Sequence, residues 1–207
     1  MHAIGLLGNG AQADEVEDYA PGVEVSFRAV SARFLSLNSP KLIDIAIARE
    51  SAISTPVTAA IGAPAVRRDL VNSWSGSTYH TVVATTAWVS ESARIGEGCI
   101  VAPQAALSTR VRLGSHVLVN IGATVSHDSS LGSYTTISPG VHIAGRCSLG
   151  DGVFLGVGAT VSDRVSIVSG TVVGAGAVVV SNIVTQGIYV GVPARLVRET
   201  RDWFRAL

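Results

Sequence analysis

A six-residue repeat runs without insertion from residue 89 to residue 184 and limits what this chain can fold into. An aliphatic residue occupies the first position of all sixteen units. These residues are Val89, Ile95, Val101, Leu107, Leu113, Val119, Val125, Leu131, Ile137, Ile143, Leu149, Leu155, Val161, Ile167, Val173 and Val179. A short fixed period is typical of a solenoid, in which each unit buries its apolar side chain only by stacking on its neighbours.

Three consecutive hexapeptides would close one triangular coil, with the first-position side chains directed inward. Successive coils would stack through backbone hydrogen bonds about 4.8 Å apart, as strands do in any parallel sheet. We therefore predict a parallel β-helix. A β-sandwich is the alternative, but it needs hairpin signals about every 8–12 residues, and the repeat region lacks them.

Glycine recurs at the second position of every third hexapeptide, once per coil. The members of this series are Gly96, Gly114, Gly132 and Gly150. Because glycine tolerates positive φ angles, we expect them to form the tight corners of the coil. Cys99 and Cys147 fall at the inward fifth position, and we expect both to be small core residues without a disulfide or a metal.

The chain up to residue 78 lacks the repeat and alternates apolar runs with helical stretches. We predict strands over 3–7, 23–30, 42–48, 57–61 and 79–84, and helices over 14–19 and 63–74. This alternation indicates a small Rossmann-like α/β domain with a parallel sheet. The predicted division is an α/β acceptor-binding domain over 1–78, a β-helix over 79–184, and a capping tail over 185–207 that contains a short helix.

Charge and hydropathy exclude some classes of partner. Lys and Arg together number 15, as do Asp and Glu, so no basic surplus favours nucleic acid or an anionic membrane. Charged residues make up only 14% of the chain, and exposed apolar faces would then be interfaces of a homo-oligomer. No stretch resembles a transmembrane span or a signal peptide, so we expect a cytoplasmic protein.

A glycine-rich turn follows the first predicted strand. Gly8, Gly10 and Ala13 match G-x-G-x-x-[GA], a motif that places backbone N–H groups and a helix N-terminus around a phosphate. A dinucleotide fold also needs an acidic residue about 20 positions later. Phe27 and Arg28 occupy that region instead. We favour a site for one nucleotide or one sugar over NAD, with a ligand-free packing turn as the alternative.

Ser126-His127-Asp128 is the candidate for chemistry within the repeat, which is poor in charge. One coil later, Gly145 would stack on His127 and leave open space beside the imidazole. By the same arithmetic Asp128 would meet Arg146, which predicts an ion pair. Histidine is suited to proton transfer near neutral pH. The alternative is a solvated histidine in a turn.

Two further histidines test the possibility of a zinc site like that of the hexapeptide-repeat carbonic anhydrases. His116, His127 and His142 are 11 and 15 positions apart, so they provide no close pair within one coil. We therefore do not expect a metal, and we expect His116 and His142 at the surface.

These motifs resemble the bacterial sugar acetyltransferases of the left-handed β-helix, or hexapeptide-repeat, superfamily. The nearest subgroup comprises sialic acid O-acetyltransferases and nucleotide-amino-sugar N-acetyltransferases. The segments that carry the resemblance are the glycine-rich turn, 60–62 with Arg67-Arg68, 93–98, Asn120, 126–128, 144–146, 154–159 and 189–195. The left-handed coil is implied by this resemblance alone, since the general crossover rule favours the right-handed form.

The resemblance implies an acetyl-CoA-dependent transferase that forms a homotrimer with its sites between neighbouring solenoids. His127 would be the general base, Asp128 would hold its imidazole, and the N–H of Gly145 would stabilise the oxyanion. The implied CoA-binding residues are Gly145, Val157, Gly158, Ala175, Gly176 and Arg195. The implied acceptor-binding residues are Gly8, Gly10, Gln12 and Asn120.

Three departures from the family pattern bear on the acceptor. Gln12 replaces a histidine of the first turn, Phe27 to Val30 replace acidic residues that read the nucleotide, and Thr136 replaces a second histidine. We expect acetyl transfer to the amine of an amino sugar, with or without a nucleotide, in surface-glycan synthesis. The alternatives are O-acetylation of sialic acid or another sugar hydroxyl, and a non-catalytic scaffold.

Overall fold

The structure is a computed structural model that describes residues 2–35, 41–50, 54–74, 76 and 78–205, without the side chains of 48–50. A small α/β layer precedes a three-faced parallel β-helix. Parts of the predicted N-terminal domain, and the last two residues of the predicted tail, lie outside the described residues. None of the helices in the described part of the chain has the length and hydrophobicity needed to cross a bilayer.

The N-terminal layer contains four parallel strands in the order β3-β2-β1-β4. The strands are β1 (His2–Leu7), β2 (Val23–Val30), β3 (Leu42–Asp44) and β4 (Val57–Ala59). The helices are α1 (Ala11–Tyr19), α2 (Ile45–Glu50) and α3 (Pro64–Ser73). The chain adds β2 and β3 on one side of β1 and β4 on the other. Their carboxyl ends therefore flank a crevice where the strand order reverses, which is the usual ligand position in such sheets.

The strand predicted over 42–48 is wrong beyond Asp44, because α2 begins at the next residue. The carboxylate of Asp44 accepts a hydrogen bond from the N–H of Ala46 at 2.9 Å. A side chain that satisfies an otherwise free N–H in this way favours the start of a helix.

Short strands, most of them of two residues, build the β-helix and form three faces. Face I contains β5 (Val82–Val83), β8 (Ile100–Val101), β11 (Leu118–Val119), β14 (Thr136–Ile137), β17 (Phe154–Leu155), β20 (Val172–Val173), β22 (Gly187–Val190) and β23 (Arg195–Glu199). Face II contains β6 (Trp88–Val89), β9 (Ala106–Leu107), β12 (Thr124–Val125), β15 (His142–Ile143), β18 (Thr160–Val161) and β21 (Val178–Val179). Face III contains β7 (Arg94–Ile95), β10 (Arg112–Leu113), β13 (Ser130–Leu131), β16 (Ser148–Leu149) and β19 (Ser166–Ile167).

The register of the faces follows the predicted coil of three hexapeptides. Leu118 pairs in parallel with Ile100 on one side and Thr136 on the other. First-position side chains from all three faces meet in one continuous core. Cys99 and Cys147 are buried there as free thiols. The predicted parallel β-helix is therefore confirmed.

Most corners of the coil turn at the fourth residue of the repeat. From Gly98 to Gly176 every fourth-position residue has a φ between 57° and 70°. These positions are Gly98, Gln104, Arg110, His116, Gly122, Asp128, Tyr134, Gly140, Arg146, Gly152, Gly158, Arg164, Gly170 and Gly176. The turns therefore do not require glycine, although about half of them contain it.

The expectation that the second-position glycines form these turns is wrong. Gly96, Gly114, Gly132 and Gly150 are absent from the residues with positive φ. Their role is steric, because a Cβ on Gly96 would lie 2.5 Å from the carbonyl oxygen of Gly114 in the next coil. One edge of the prism stacks too tightly for a side chain at this position.

The helix predicted in the C-terminal tail is also wrong. Strand β22 adds to face I beside β20, and β23 runs antiparallel to β22. No helix follows as far as Arg205, the last described residue. Strand pairing closes the open edge of face I, which a helix would leave with unpaired backbone groups. The sheet thus continues past the domain boundary predicted at residue 184.

An apolar cluster joins the two parts of the molecule. Ile4 and Leu6 of β1 pack with Val82, Ile100 and Leu118 of face I, and all five side chains are buried.

Arg67 of α3 adds a polar joint beside this cluster and is only 1% exposed. Its guanidinium donates to the carbonyls of His116 (2.9 Å) and Tyr134 (2.7 Å) and to the hydroxyl of Thr136 (2.9 Å). The joint fixes helix α3 against face I.

The surface position expected for His116 is wrong, whereas His142 is exposed as expected. His116 packs between Tyr79 and Tyr134, with ring centroids 4.5 Å and 5.1 Å away. Burial, together with the nearby Arg67 charge, lowers the pKa of His116 to about 4. The ring is therefore neutral at physiological pH and serves as part of the joint.

Steric stacking and backbone conformation can be separated with two glycines. Gly132→Ala should lower the free energy of unfolding by about 3 kcal/mol, because its Cβ would lie 2.5 Å from the Asp151 nitrogen. Gly140→Ala is the matched control, since it has open space and only the cost of a left-handed residue, about 1 kcal/mol. Urea unfolding measures both; an equal or larger loss in Gly140→Ala would contradict the steric role.

Candidate active site

His127 lies at the corner between faces II and III, which we call corner II–III, and its side chain is 43% exposed. As the repeat arithmetic predicts, Gly145 lies one coil above it. A Cβ at Gly145 would sit 2.7 Å from Cε1 and 2.8 Å from Nε2 of the imidazole. Only glycine at this position leaves room for the imidazole beside the neighbouring coil.

Asp128 follows at the fourth position, with a φ of 61°. Its carboxylate contacts Nδ1 of His127 at 2.8 Å and accepts two hydrogen bonds from Arg110, at 2.6 Å and 3.0 Å. The predicted pair with Arg146 is therefore wrong. Arg146 binds Asp163 at 2.9 Å instead, and Arg110 from the preceding coil takes its place.

The hydrogen bonds from Arg110 and His127 hold the pKa of Asp128 well below its usual range. The carboxylate is thus ionised near neutral pH and can only accept hydrogen bonds. His127 must then donate from Nδ1, which leaves the lone pair on Nε2 free to take a proton. This arrangement has the form of a general base with an orienting carboxylate.

Gly145 and Asp163 complete the surroundings of the imidazole. Within the described part of the chain the N–H of Gly145 donates to no backbone acceptor. A Cβ on Gly145 would also lie 3.1 Å from Oδ1 of Asp163. Sequence reasoning missed Asp163, yet its signal was available, because it follows His127 by two complete coils of the repeat.

Of the predicted CoA residues, Gly145 lies beside His127. Four others occupy a different edge of the prism, which we call corner I–II. Val157, Gly158, Ala175 and Gly176 are exposed there, and the space beside both glycines is open. Face II separates this corner from His127, and six residues of extended chain span up to about 20 Å. One chain therefore does not bring the two sets together.

Arg195 is exposed and follows a segment that caps corner I–II. In that segment the N–H of Val178 donates to Gly191 at 3.0 Å, and the N–H of Ala194 donates to Val178 at 2.8 Å. Arg195 thus lies beyond the last complete coil, on the same side as Gly176.

The predicted acceptor residues fall into two groups. Asn120, at corner I–II, donates from Nδ2 to Oε1 of Gln12 at 3.3 Å, so the fold brings these two together. Gly8 and Gly10 instead line a cavity of about 570 Å³ at the carboxyl ends of β1 and β4. This is the crevice where the strand order reverses.

The lining residues that sequence reasoning missed include Arg33, Phe34 and Arg205. Arg33 and Phe34 belong to a short 3₁₀ turn after β2, and the guanidinium lies 4.7 Å from the ring centroid. Phe34 is 59% exposed, which offers a flat apolar surface to a ligand.

Arg28 lies in the region where a dinucleotide fold would carry an acidic residue, but its positive charge is already paired with carboxylates. It contacts Asp14 at 2.6 Å and Glu17 at 2.5 Å on α1, and it donates to Asn9 in the glycine-rich turn at 3.1 Å. These bonds fix the turn against α1. Among the described residues, no group of His, Cys, Asp and Glu side chains could hold a metal ion.

Solved structures of three proteins are similar over most of the chain. The acetyltransferase domain of PglB from Neisseria gonorrhoeae is 28% identical with a TM-score of 0.86, and the match covers 95% of this chain and 100% of that domain. PerB from Caulobacter crescentus, in complex with CoA and GDP-perosamine, is 32% identical with a TM-score of 0.84, covering 95% and 97%. WeeI from Acinetobacter baumannii is 25% identical with a TM-score of 0.82, covering 95% and 100%. The PglB domain has also been solved in complex with acetyl coenzyme A.

Sequence-level comparisons give no such result. No protein-family model matches the chain, and no curated protein matches it.

The electrostatic role of Arg110 can be measured directly. Arg110→Ala should raise the pKa of Asp128 towards its ordinary range, because two charge-assisted hydrogen bonds to the carboxylate are lost. Carboxyl ¹³C shifts followed by NMR during a pH titration report this change. Arg112→Ala, an exposed arginine of the same coil, is the control and should leave the titration unaltered. An unchanged titration in Arg110→Ala would show that the pair is not formed in solution.

Proposed function

This chain belongs to the hexapeptide-repeat sugar N-acetyltransferases, and we propose that it transfers the acetyl group of acetyl-CoA to the amine of a nucleotide-linked amino sugar. The observation that carries the proposal is the likeness to PerB, at 32% identity over 97% of a protein solved with CoA and GDP-perosamine. We also propose that the N-terminal layer is Rossmann-like, since it alternates parallel strands with helices, and that the coil is left-handed, as the sequence resemblance implies.

In the proposed reaction the amine nitrogen attacks the thioester carbonyl of acetyl-CoA. Nε2 of His127 accepts the proton that the nitrogen loses, and the imidazolium later returns it to the departing CoA thiolate. The products are the acetamido sugar and CoA with a free thiol. Asp128, held by Arg110, keeps the proton on Nδ1 and stabilises the imidazolium. The Gly145 N–H is the proposed donor to the oxyanion.

We place the complete site between two copies of the chain. His127 and the open surface at Val157 and Gly176 lie at opposite edges of face II, so a neighbouring protomer must supply one of them. Exposed apolar side chains on this part of the surface support such contact, because Val157 is 57% and Val180 is 53% exposed. A homotrimer with three equivalent interfaces is the proposed assembly.

The acceptor's nucleotide is proposed to occupy the cavity at Gly8 and Gly10. Free N–H groups at the start of α1 attract phosphate, and Phe34 offers a stacking surface for a base. Gln12 and Asn120 lie on the route from this cavity to corner I–II and would contact the sugar. We also propose that the reaction takes place in the cytoplasm and contributes to surface-glycan synthesis.

The acceptor atom can be identified with matched substrates. CoA release should be at least about 10²-fold faster with a UDP-, GDP- or dTDP-linked 4-amino sugar than with its 4-hydroxy counterpart, because the amine is the better nucleophile. A thiol-reactive dye measures the released CoA. Release only with the hydroxy sugars or with sialic acid would support O-acetylation. Absence of both release and CoA binding would support a scaffold.

Mixed trimers test the base and the shared site together. His127→Ala should lose about 10²–10⁴ in turnover. Ala175→Trp should block the pantetheine path, because Ala175 is exposed at corner I–II. When differently tagged copies of the two variants are co-expressed, about one quarter of the sites should combine an intact His127 with an intact groove.

Trimers purified through both tags in turn should therefore recover activity. Each variant alone should be inactive, and circular dichroism should show that each is folded. A mixture that stays inactive would place the whole site within one protomer and contradict the proposed assembly.

A further inference from the structure

The last six described residues return from the far end of the β-helix to the N-terminal layer. We call residues 200–205 the C-terminal strap. It begins at Thr200, whose N–H donates to the carbonyl of Gln186 at 3.2 Å. It ends beside α3, where the N–H of Ala65 donates to the carbonyl of Phe204 at 3.1 Å. The strap thus connects the end of the solenoid with the layer that holds the acceptor cavity.

Two aromatic side chains hold the strap in place. Phe204 packs on Phe154 of face I, with ring centroids 4.4 Å apart. Trp203 lies over Gly152, where any Cβ would collide with the indole. The guanidinium carbon of Arg68 is 4.2 Å from the Trp203 ring centroid, a cation–π contact. These aromatic contacts fix the path of the strap and, with it, the position of the last strap residue.

The last strap residue is Arg205, which lines the same cavity as Gly8, Asn9 and Gly10. Its Nη1 donates to Oδ2 of Asp69 on α3 at 2.7 Å. The two side chains are 58% and 46% exposed, and ion pairs this exposed contribute little to stability. Stabilisation by the pair therefore does not account for bringing an arginine to the cavity.

The charge at the cavity favours an anion. Within the described part of the chain, Nη1 is the only nitrogen of Arg205 with a protein acceptor, so Nε and Nη2 remain available. Arg33 lines the cavity at the end of β2 and pairs with no carboxylate among the described side chains. Among the described residues that line the cavity, Asp69 is the only acidic one. Two guanidinium groups thus face one carboxylate, and guanidinium matches the geometry of phosphate oxygens.

We propose that Arg205 is a specificity-determining residue that binds the diphosphate of a nucleoside-diphosphate-linked acceptor. The inference rests on the proposed function, since it takes the cavity to be the acceptor site. Asp69 acts as a positioning residue that holds Nη1 and leaves the rest of the guanidinium directed at the ligand. If the strap were only a structural tie, Arg205 would matter equally for ligands with and without phosphate.

Calorimetry on the full chain separates these cases. UDP, GDP and dTDP are titrated together with uridine, guanosine and thymidine, and the best-bound pair is used. Arg205→Gln should weaken binding of the nucleoside diphosphate about ten- to hundredfold, while binding of the matching nucleoside and of CoA changes less than about twofold. Arg205→Lys should lose less, because it keeps the charge but not the two-pronged contact. Arg201→Gln, an exposed arginine of the same strap, is the control and should bind like the wild type.

Turnover gives an independent readout. With the amino-sugar nucleotide, Arg205→Gln should raise the acceptor KM by a similar factor and leave kcat nearly unchanged. Equal losses for diphosphate and nucleoside, an unchanged diphosphate affinity, or no diphosphate binding to the wild type would each overturn the inference. If Arg205→Gln acetylates normally with an unchanged KM, the Arg205 inference is wrong but the proposed function stands. Diphosphate binding that depends on Arg205 without any acetyl transfer would instead remove the proposed function.

Discussion

A left-handed backbone at the fourth residue of fourteen of the sixteen hexapeptides is the constraint on which the rest of this structure depends. It holds without exception from Gly98 to Gly176. Half of these residues carry side chains that disfavour the conformation by about 1–2 kcal/mol each, so parallel stacking of the coils must offset the strain. The turn also determines direction, because it points the third and fourth side chains away from the core. His127 and Asp128 are therefore on the outside of the prism, where a substrate can reach them.

Stacking then assembles the candidate site from several coils. Gly145 gives the imidazole room, Arg110 neutralises Asp128, and Asp163 lies beyond the ring. Each group comes from a different turn of the solenoid, and the ladder of backbone hydrogen bonds holds them at fixed spacing. A rigid scaffold of this kind would keep the proposed base and its orienting carboxylate aligned before substrate arrives. The same rigidity separates His127 from the open corner at Gly176, which is why we propose that a second copy completes the site.

The joint between the two parts of the molecule relies on a buried charge. Burial lowers the pKa of Arg67 to about 10, so the guanidinium stays protonated at neutral pH. Its partners are backbone carbonyls and the hydroxyl of Thr136, and no described carboxylate contacts it. Carbonyl dipoles aimed at one cation satisfy its donors and fix the angle at which α3 meets face I. The position of the proposed acceptor cavity relative to the β-helix follows from that angle.

The sequence by itself determined the main features of the repeat: the β-helix, its core, the buried cysteines and the stacking of Gly145 on His127. These contacts recur at a constant separation of one coil, so a pattern along the chain is enough to identify them. Arg110 and Arg146 both lie one coil away from Asp128, so the repeat period could not decide which of them forms the ion pair. Only the tertiary structure showed that it is Arg110. It also decided the contacts that no period links, such as Arg67 with Tyr134, Gln12 with Asn120, and Asp69 with Arg205. Such contacts depend on how two separately built surfaces meet, and a linear pattern carries no information about that meeting.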